Sequence, residues 1–176
     1  EMMVGAGIRL GDGARRLDAA ALAATDLLLL DERSWRSLGP RGREAVRAAV
    51  RDGLGVLLRI TGPLSAAERA ELRADGFGLT PGGIPRGVAL PAALTPQARG
   101  EDIVPALSRW PGRLRADGGA VLLASVDGEP VAAWRGIGEG RIGVWLLSHS
   151  FRWSLEGHPQ EHARLWAEAV PTLARP

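Results

Sequence analysis

The chain is predicted to be an α/β domain in three αβα layers, with a mostly parallel sheet and a β-hairpin element near the C-terminus. Three observations predict it. Asp26-Leu27-Leu28-Leu29-Leu30-Asp31 and Leu54 to Ile60 are short apolar runs, the pattern of strands buried on both faces of a parallel sheet. Amphipathic segments of helical period alternate with them, which implies right-handed crossovers between parallel strands. Finally, two apolar runs flank Asp127-Gly128, a strong signal for a two-residue turn.

The elements follow in order. Val4 to Leu10 is a first strand interrupted by Gly5 and Gly7, and Leu17 to Ala24 a short helix. After the strand Asp26 to Asp31, Pro40 suits a first helical turn, and Arg43 to Asp52 carries Ala45, Val46, Ala49 and Val50 on one face before Gly53 stops it. Leu54 to Ile60 is the next strand. Ser65-Ala66-Ala67-Glu68 is a capping box that opens a helix to about Asp75. Gly76 to Gly100 reads as connection, with a short strand at Val88 to Leu90, and Ile103 to Trp110 as a short helix or turn. Ala120 to Val126, Val131 to Ile137 and Ile142 to Leu147 are strands; a polar and aromatic loop follows, then a helix from Pro159 to Leu173. Asp26 to Asp31, Leu54 to Ile60 and Ile142 to Leu147 are expected as central strands of one sheet with helices on both faces.

At 176 residues the chain fits a single domain over 1–176, because a chain of about 150 residues already buries roughly two thirds of its unfolded surface in one core. Apolar residues at 45% and charged residues at 24% argue against disorder. The longest apolar runs are far shorter than the roughly 20 residues a membrane helix needs. The pI near 10.7 suggests a nucleic-acid binder until its origin is traced. All 22 basic side chains are arginine, no lysine, tyrosine or cysteine titrates below them, and the net charge is only +2. Nucleic acid is therefore not an expected partner. With no cysteine there is no disulfide or thiolate site, and Glu1-Met2-Met3 opens no signal peptide. Both ends fit a piece of a larger protein.

Candidate chemistry is sparse. His158-Pro159-Gln160-Glu161-His162 matches the H-x-x-E-H pattern in which two histidines hold a metal beside a glutamate base. Pro159, however, puts His158 at the helix entrance, and only Glu168 offers a further acid downstream. In Ser148-His149-Ser150, adjacent side chains of an extended segment point to opposite sides, so no serine is activated locally. Gly5-Ala6-Gly7 and Gly136-Ile137-Gly138-Glu139-Gly140 lack the strand-to-helix context of a dinucleotide site and read as turns. Arg43, Arg47 and Arg51 recur every fourth residue beside Glu44 and Asp52, as on a solvated helix face. Trp134, Trp145 and Trp166 read as core.

Ligands of open α/β sheets bind at the carboxyl ends of the strands. The residues that follow the strands here include Asp31, Glu32, Arg33, Ser34 and Trp35, then Arg59 and Thr61, then Ser148, His149, Ser150, Arg152 and Trp153. The expected ligand site is Asp31, Arg33, Trp35, Arg59, Thr61, Ser148, His149, Arg152 and Trp153, with Trp35 and Trp153 exposed on it.

Three pieces carry a family resemblance: Asp26 to Asp31 with Trp35, the strand Gly53 to Leu58, and Gly128 to Arg141 leading into Ser150-Phe151-Arg152-Trp153 and Leu165-Trp166. Together they resemble class I glutamine amidotransferase-like domains of flavodoxin type, of the kind found in extracytoplasmic parts of bacterial membrane proteins. In catalytic relatives a cysteine nucleophile follows a central strand at a tight elbow. The counterpart here is Arg59-Ile60-Thr61-Gly62, without a thiol. The resemblance therefore implies no catalytic residue and no cofactor. It implies a non-catalytic recognition or assembly domain of a bacterial envelope membrane protein, on the periplasmic side. Its partners would be proteins or other domains of the same polypeptide, and membrane association would come only through flanking segments. The alternative expectation is a hydrolase, using a metal at His158, Glu161 and His162 or a site in the strand-edge crevice.

Overall fold

The computed structural model describes residues 2–3, 9–10, 17–84, 86–97 and 104–175. In chain order, β1 (Met2–Met3) and β2 (Arg9–Leu10) precede α1 (Ala19–Ala23), β3 (Leu27–Asp31), α2 (Glu32–Ser37) and α3 (Gly39–Arg51). Next come β4 (Gly55–Arg59), α4 (Ala66–Ala74), β5 (Phe77–Pro81), β6 (Arg86–Val88), β7 (Leu107–Arg109) and β8 (Gly112–Ala116). The remainder is β9 (Ala120–Ala124), β10 (Pro130–Ile137), β11 (Gly140–Trp145), β12 (Leu147–Ser148), α5 (Phe151–Leu155), α6 (Pro159–Ala167) and α7 (Ala169–Leu173).

The fold is α/β, built on a mixed five-stranded sheet of order β3-β4-β11-β10-β9. β3, β4 and β11 run parallel, while β10 pairs antiparallel with both β11 and β9. Alternation along β4 buries both faces of the sheet. Val56 and Leu58 join a cluster with Val46, Val50 and Phe77, whereas Leu57 joins Trp145, Leu165, Ala169 and Leu173. Two bare positions let α7 lie close on that second face: a Cβ at Gly55 would collide with the Leu173 carbonyl, and one at Gly143 would come within 2.9 Å of the Leu173 side chain. No helix among the described residues is long and apolar enough to cross a membrane.

Several expectations are corrected. β3 is not central: among the described residues β4 is its one partner, and Leu29 is 44% exposed at that edge. The segment read as connection holds β5 and β6, and the helix or turn expected over Ile103 to Trp110 is strand β7, Ile103 lying outside the described residues. These strands, with β8, are held by distant partners: β5 pairs with β8, and β7 with β6 and β12. The strand expected from Ile142 to Leu147 divides into β11 and β12, and the loop after it contains α5. The final helix is two, because Pro171 has no N–H to continue α6. Of Val4 to Leu10 only Arg9 and Leu10 are described, paired antiparallel with Met2 and Met3; the turn expected at Gly5-Ala6-Gly7 lies outside the described residues.

The arginine stripe of α3 is not a solvated face. Arg43 bonds Glu71 at 3.0 Å and Arg47 bonds Asp75 at 2.9 Å, both on or just after α4. Arg47 also lies over the Trp35 ring, 5.3 Å from its centre. Arg43 and Arg47 fasten α3 to α4, while Arg51 stays on the exposed face, paired with Glu44 of its own helix.

Candidate functional site

At the carboxyl end of β3, Asp31 caps α2 by accepting the Ser34 N–H at 2.7 Å. That backbone hydrogen bond holds its carboxyl below the usual range, and Arg33 and Arg59 add to the effect. The next residue, Glu32, is only 5% exposed. Its Oε2 accepts the Thr61 N–H at 3.1 Å, directly beyond β4, and both carboxylate oxygens lie 3.4 Å from the Thr61 hydroxyl. Gly62 leaves room for this carboxylate, since a Cβ would sit 2.6 Å from Glu32 Oε1. The Gly62 carbonyl accepts the Trp110 indole N–H at 3.0 Å. The junction after β4 is thus clamped from α2 on one side and from the segment after β7 on the other.

The second group lies where β12 meets β7. Ser148 and Ser108 are opposed in the ladder, with hydroxyls 2.8 Å apart. Ser108 Oγ is 3.1 Å from His149 Nδ1. His149 has φ +66°, the one non-glycine among the described residues reported in the left-handed region. Such a conformation is costly for a side-chain-bearing residue and persists only where its surroundings impose it. Thus the histidine's hydrogen-bonded serine comes from 41 positions away, not from its sequence neighbours.

The third group lies under α6. Asp31, Arg59 and Trp145 form one register row across β3, β4 and β11, so their side chains leave the same face. Trp145 stacks on Trp166 with ring centres 4.4 Å apart and planes 14° apart. The Trp166 indole N–H donates to His162 Nε2 at 3.2 Å. Burial, reinforced by nearby Arg59, lowers the His162 pKa, so the ring stays a neutral acceptor.

The expected site residues therefore divide. Asp31 and Arg59 share a row; Thr61 meets Glu32; Ser148 and His149 meet Ser108. Arg33 and Arg152 are exposed. Trp35 and Trp153 are corrected: they are 6% and 2% exposed, and they belong to different core clusters. Each tryptophan covers its own side of the sheet, and the Trp153 indole N–H is spent on the Pro105 carbonyl at 2.8 Å. They do not share a pocket. The metal reading finds no support in the donor set. Among the described residues no three His, Cys, Asp or Glu side chains are gathered to hold an ion, and His162 Nε2 is already bonded to Trp166.

Ser108 and Trp110 join the strand-end groups although neither was among the expected site residues, and Trp145, read as core, is 1% exposed. The alternation Leu107-Ser108-Arg109-Trp110 is a strand signal, but its partner Leu147-Ser148 is distant in sequence. Two surface grooves, of about 430 and 470 Å³, lie elsewhere, and neither is lined by Arg59, His149 or Arg152.

No protein-family model matches the chain, and no curated protein does. Among solved structures, two cytoplasmic proteins of Salmonella typhimurium, one from strain LT2, are similar in fold. Each has a TM-score of 0.56 and 16% identity; the alignments cover 93% and 92% of this chain and 77% of each neighbour. An exo-β-1,4-mannosidase from an Opitutaceae bacterium scores 0.48 at 15% identity, over 78% of this chain and 24% of the enzyme. At these identities the Salmonella proteins show the fold alone.

Proposed function

We propose that this chain is a non-catalytic recognition or assembly domain of a bacterial envelope membrane protein. In this reading it has the three-layer αβα, class I glutamine amidotransferase-like arrangement with its C-terminal β-hairpin element. It works without a cofactor, on the periplasmic side, against protein partners or other domains of its own polypeptide. One observation carries the reading. Where relatives of that kind place a nucleophile, this chain has no thiol, and the buried Glu32 carboxylate occupies the Thr61 N–H. A backbone donor needed to hold a reacting oxyanion is committed to the fold. Polar side chains are left at the strand ends around it.

The Salmonella neighbours are cytoplasmic proteins, so location needs its own test. Alkaline phosphatase, which is active only outside the cytoplasm, would be fused after residue 176 in the natural reading frame. The reading expects an active reporter; an inactive reporter with an active cytoplasmic β-galactosidase fusion at the same point overturns the location.

A second reading, a hydrolase at the strand-edge crevice, is favoured by the Ser108–His149 contact. In it the imidazole takes the hydroxyl proton as Ser108 Oγ attacks an acyl carbon, the bond to the leaving group breaks as that group takes the proton back, and water then hydrolyses the acyl-serine. A fluorophosphonate probe separates the two readings: labelling that disappears in Ser108→Ala and falls in His149→Ala selects the hydrolase, and an unlabelled protein selects recognition.

A further inference from the structure

Among the described residues, three buried nitrogens near the strand ends have no hydrogen-bond partner: Arg59 Nε, Arg109 Nη1 and Trp145 Nε1. Buried donors in folded proteins are nearly always paired, so each orphan marks a place where something outside the chain belongs. All three are donors only, and a group of donors without an acceptor calls for an anion.

Register puts them on one side. Arg59 and Trp145 are opposed in the parallel pair β4 and β11, so both side chains leave the same face. Leu147, two residues beyond Trp145 and in the same buried cluster, is opposed to Arg109 across β12 and β7. The indole bond from Trp110 to Gly62, at 3.0 Å, ties the residue after Arg109 to the loop that follows β4.

Among the described residues neither Arg59 nor Arg109 closes an ion pair, although Asp31 is a near counter-charge of Arg59. Asp31, in the same row as Arg59, commits Oδ1 to the Ser34 N–H and makes no ion pair with Arg59 among the described residues. His162 Nε2 is taken by Trp166 and does not serve Trp145. Elsewhere arginines are held: Arg36 by Glu68, Arg47 by Asp75, Arg141 by the Thr172 carbonyl. Arg43, Arg135 and Arg175 also carry an orphan Nε; other nitrogens anchor Arg43 and Arg175, to Glu71 and to the Ala23 carbonyl, whereas Arg135 lies on β10, its guanidinium against Gly76. No such anchor is present for Arg59 or Arg109 among the described residues.

We propose that Arg59, Arg109 and the Trp145 indole N–H form a recognition site for a small oxyanion, a carboxylate or phosphate group, on the α6 side of the strand ends. The proposal rests on the recognition reading and names the chemistry of its ligand. Two guanidinium forks match the paired oxygens of either group, and the indole adds a neutral donor that fixes orientation. The position is where open α/β sheets hold ligands.

Intact protein would be titrated with sodium acetate and, separately, with inorganic phosphate at constant ionic strength, following tryptophan fluorescence and thermal shift. A saturable response to at least one is expected, and the two arms tell carboxylate from phosphate. Arg59→Gln and Arg109→Gln should each weaken it at least about tenfold, the scale of one charge-assisted hydrogen bond. Trp145→Phe should weaken it while keeping the ring, and the two half-buried arginine variants stand in should that core change fail to fold. Arg115→Gln, whose guanidinium is paired with Asp117 on an exposed strand, should bind as the wild type does. No saturable response to either anion, or equal weakening in Arg115→Gln, overturns the site. That failure beside an active phosphatase reporter would leave the recognition reading in place, whereas an inactive reporter beside intact anion binding would remove the envelope reading and spare the site.

Discussion

Glu32 decides what the end of β4 can do. A carboxylate 5% exposed keeps its place because the Thr61 N–H bonds it at 3.1 Å, and removing the acceptor loses a hydrogen bond to a charged group. Glu32→Ala should therefore cost about 1.5–3 kcal/mol, the range for such a bond. Urea unfolding measures this directly; a loss within about 0.5 kcal/mol, as for an ordinary surface change, would show that the clamp is dispensable. His149 offers the opposite test. At φ +66° glycine is unstrained, so His149→Gly should be about 1 kcal/mol more stable than His149→Ala, both lacking the bond to Ser108. Equal stabilities would mean that the left-handed turn relaxes. Asp31, Arg59, Thr61, Ser148 and His149 were legible as strand-end residues because the apolar runs locate the strands. The burial of Trp35 and Trp153 was not, since both stand on short helices, α2 and α5, whose inward faces are set by α3 and α6 packing beside them.

Elements made by local chemistry were the legible ones. Ser65 accepts the Glu68 N–H at 3.2 Å and Glu68 accepts the Ser65 N–H at 2.7 Å, the reciprocal pair that the spacing predicts. Ser65→Ala should cost about 1 kcal/mol by thermal or urea melting, as loss of an N-cap does. Arg36 adds a contact from α2, and that hydrogen bond is the main reason the Glu68 carboxyl is held at about 2. Glu68 therefore favours the folded state above its ordinary carboxylate range, and the contribution is lost as pH falls toward about 2. Elements made by distant pairing were not legible. β7 is three residues long and exists because Leu107–Arg109 meets Val88 on one side and Leu147 and Ser148 on the other. No window of sequence contains both halves of that ladder, so Ser108 and Arg109 could not be placed beside His149 and Leu147.

At the scale of the whole molecule, β4 is buried on both faces while β3 lies at an edge, and the polar groups collect where β3, β4 and β11 end. The helix over that region carries a pH-sensitive link. Burial keeps His162 below its ordinary 6.5, so folding favours the neutral ring that accepts from Trp166. The stability from this preference is full above that ordinary value and is lost as pH falls through it toward the lower folded-state pKa. Melting temperature should thus drop more between about pH 8 and pH 5 in the wild type than in His162→Gln, which does not titrate. Parallel profiles would remove His162 from the account. The central claim is that the strand ends recognise an oxyanion through donors left unpaired among the described residues. Its most direct measurement is the set of six indole N–H resonances, one per tryptophan, during an acetate or phosphate titration. The account predicts that the Trp145 signal, assigned by Trp145→Phe, shifts saturably, while those of Trp110 and Trp153, already bonded to Gly62 and Pro105, stay in place. A Trp145 signal that remains fixed, or one that moves no more than theirs, would contradict it.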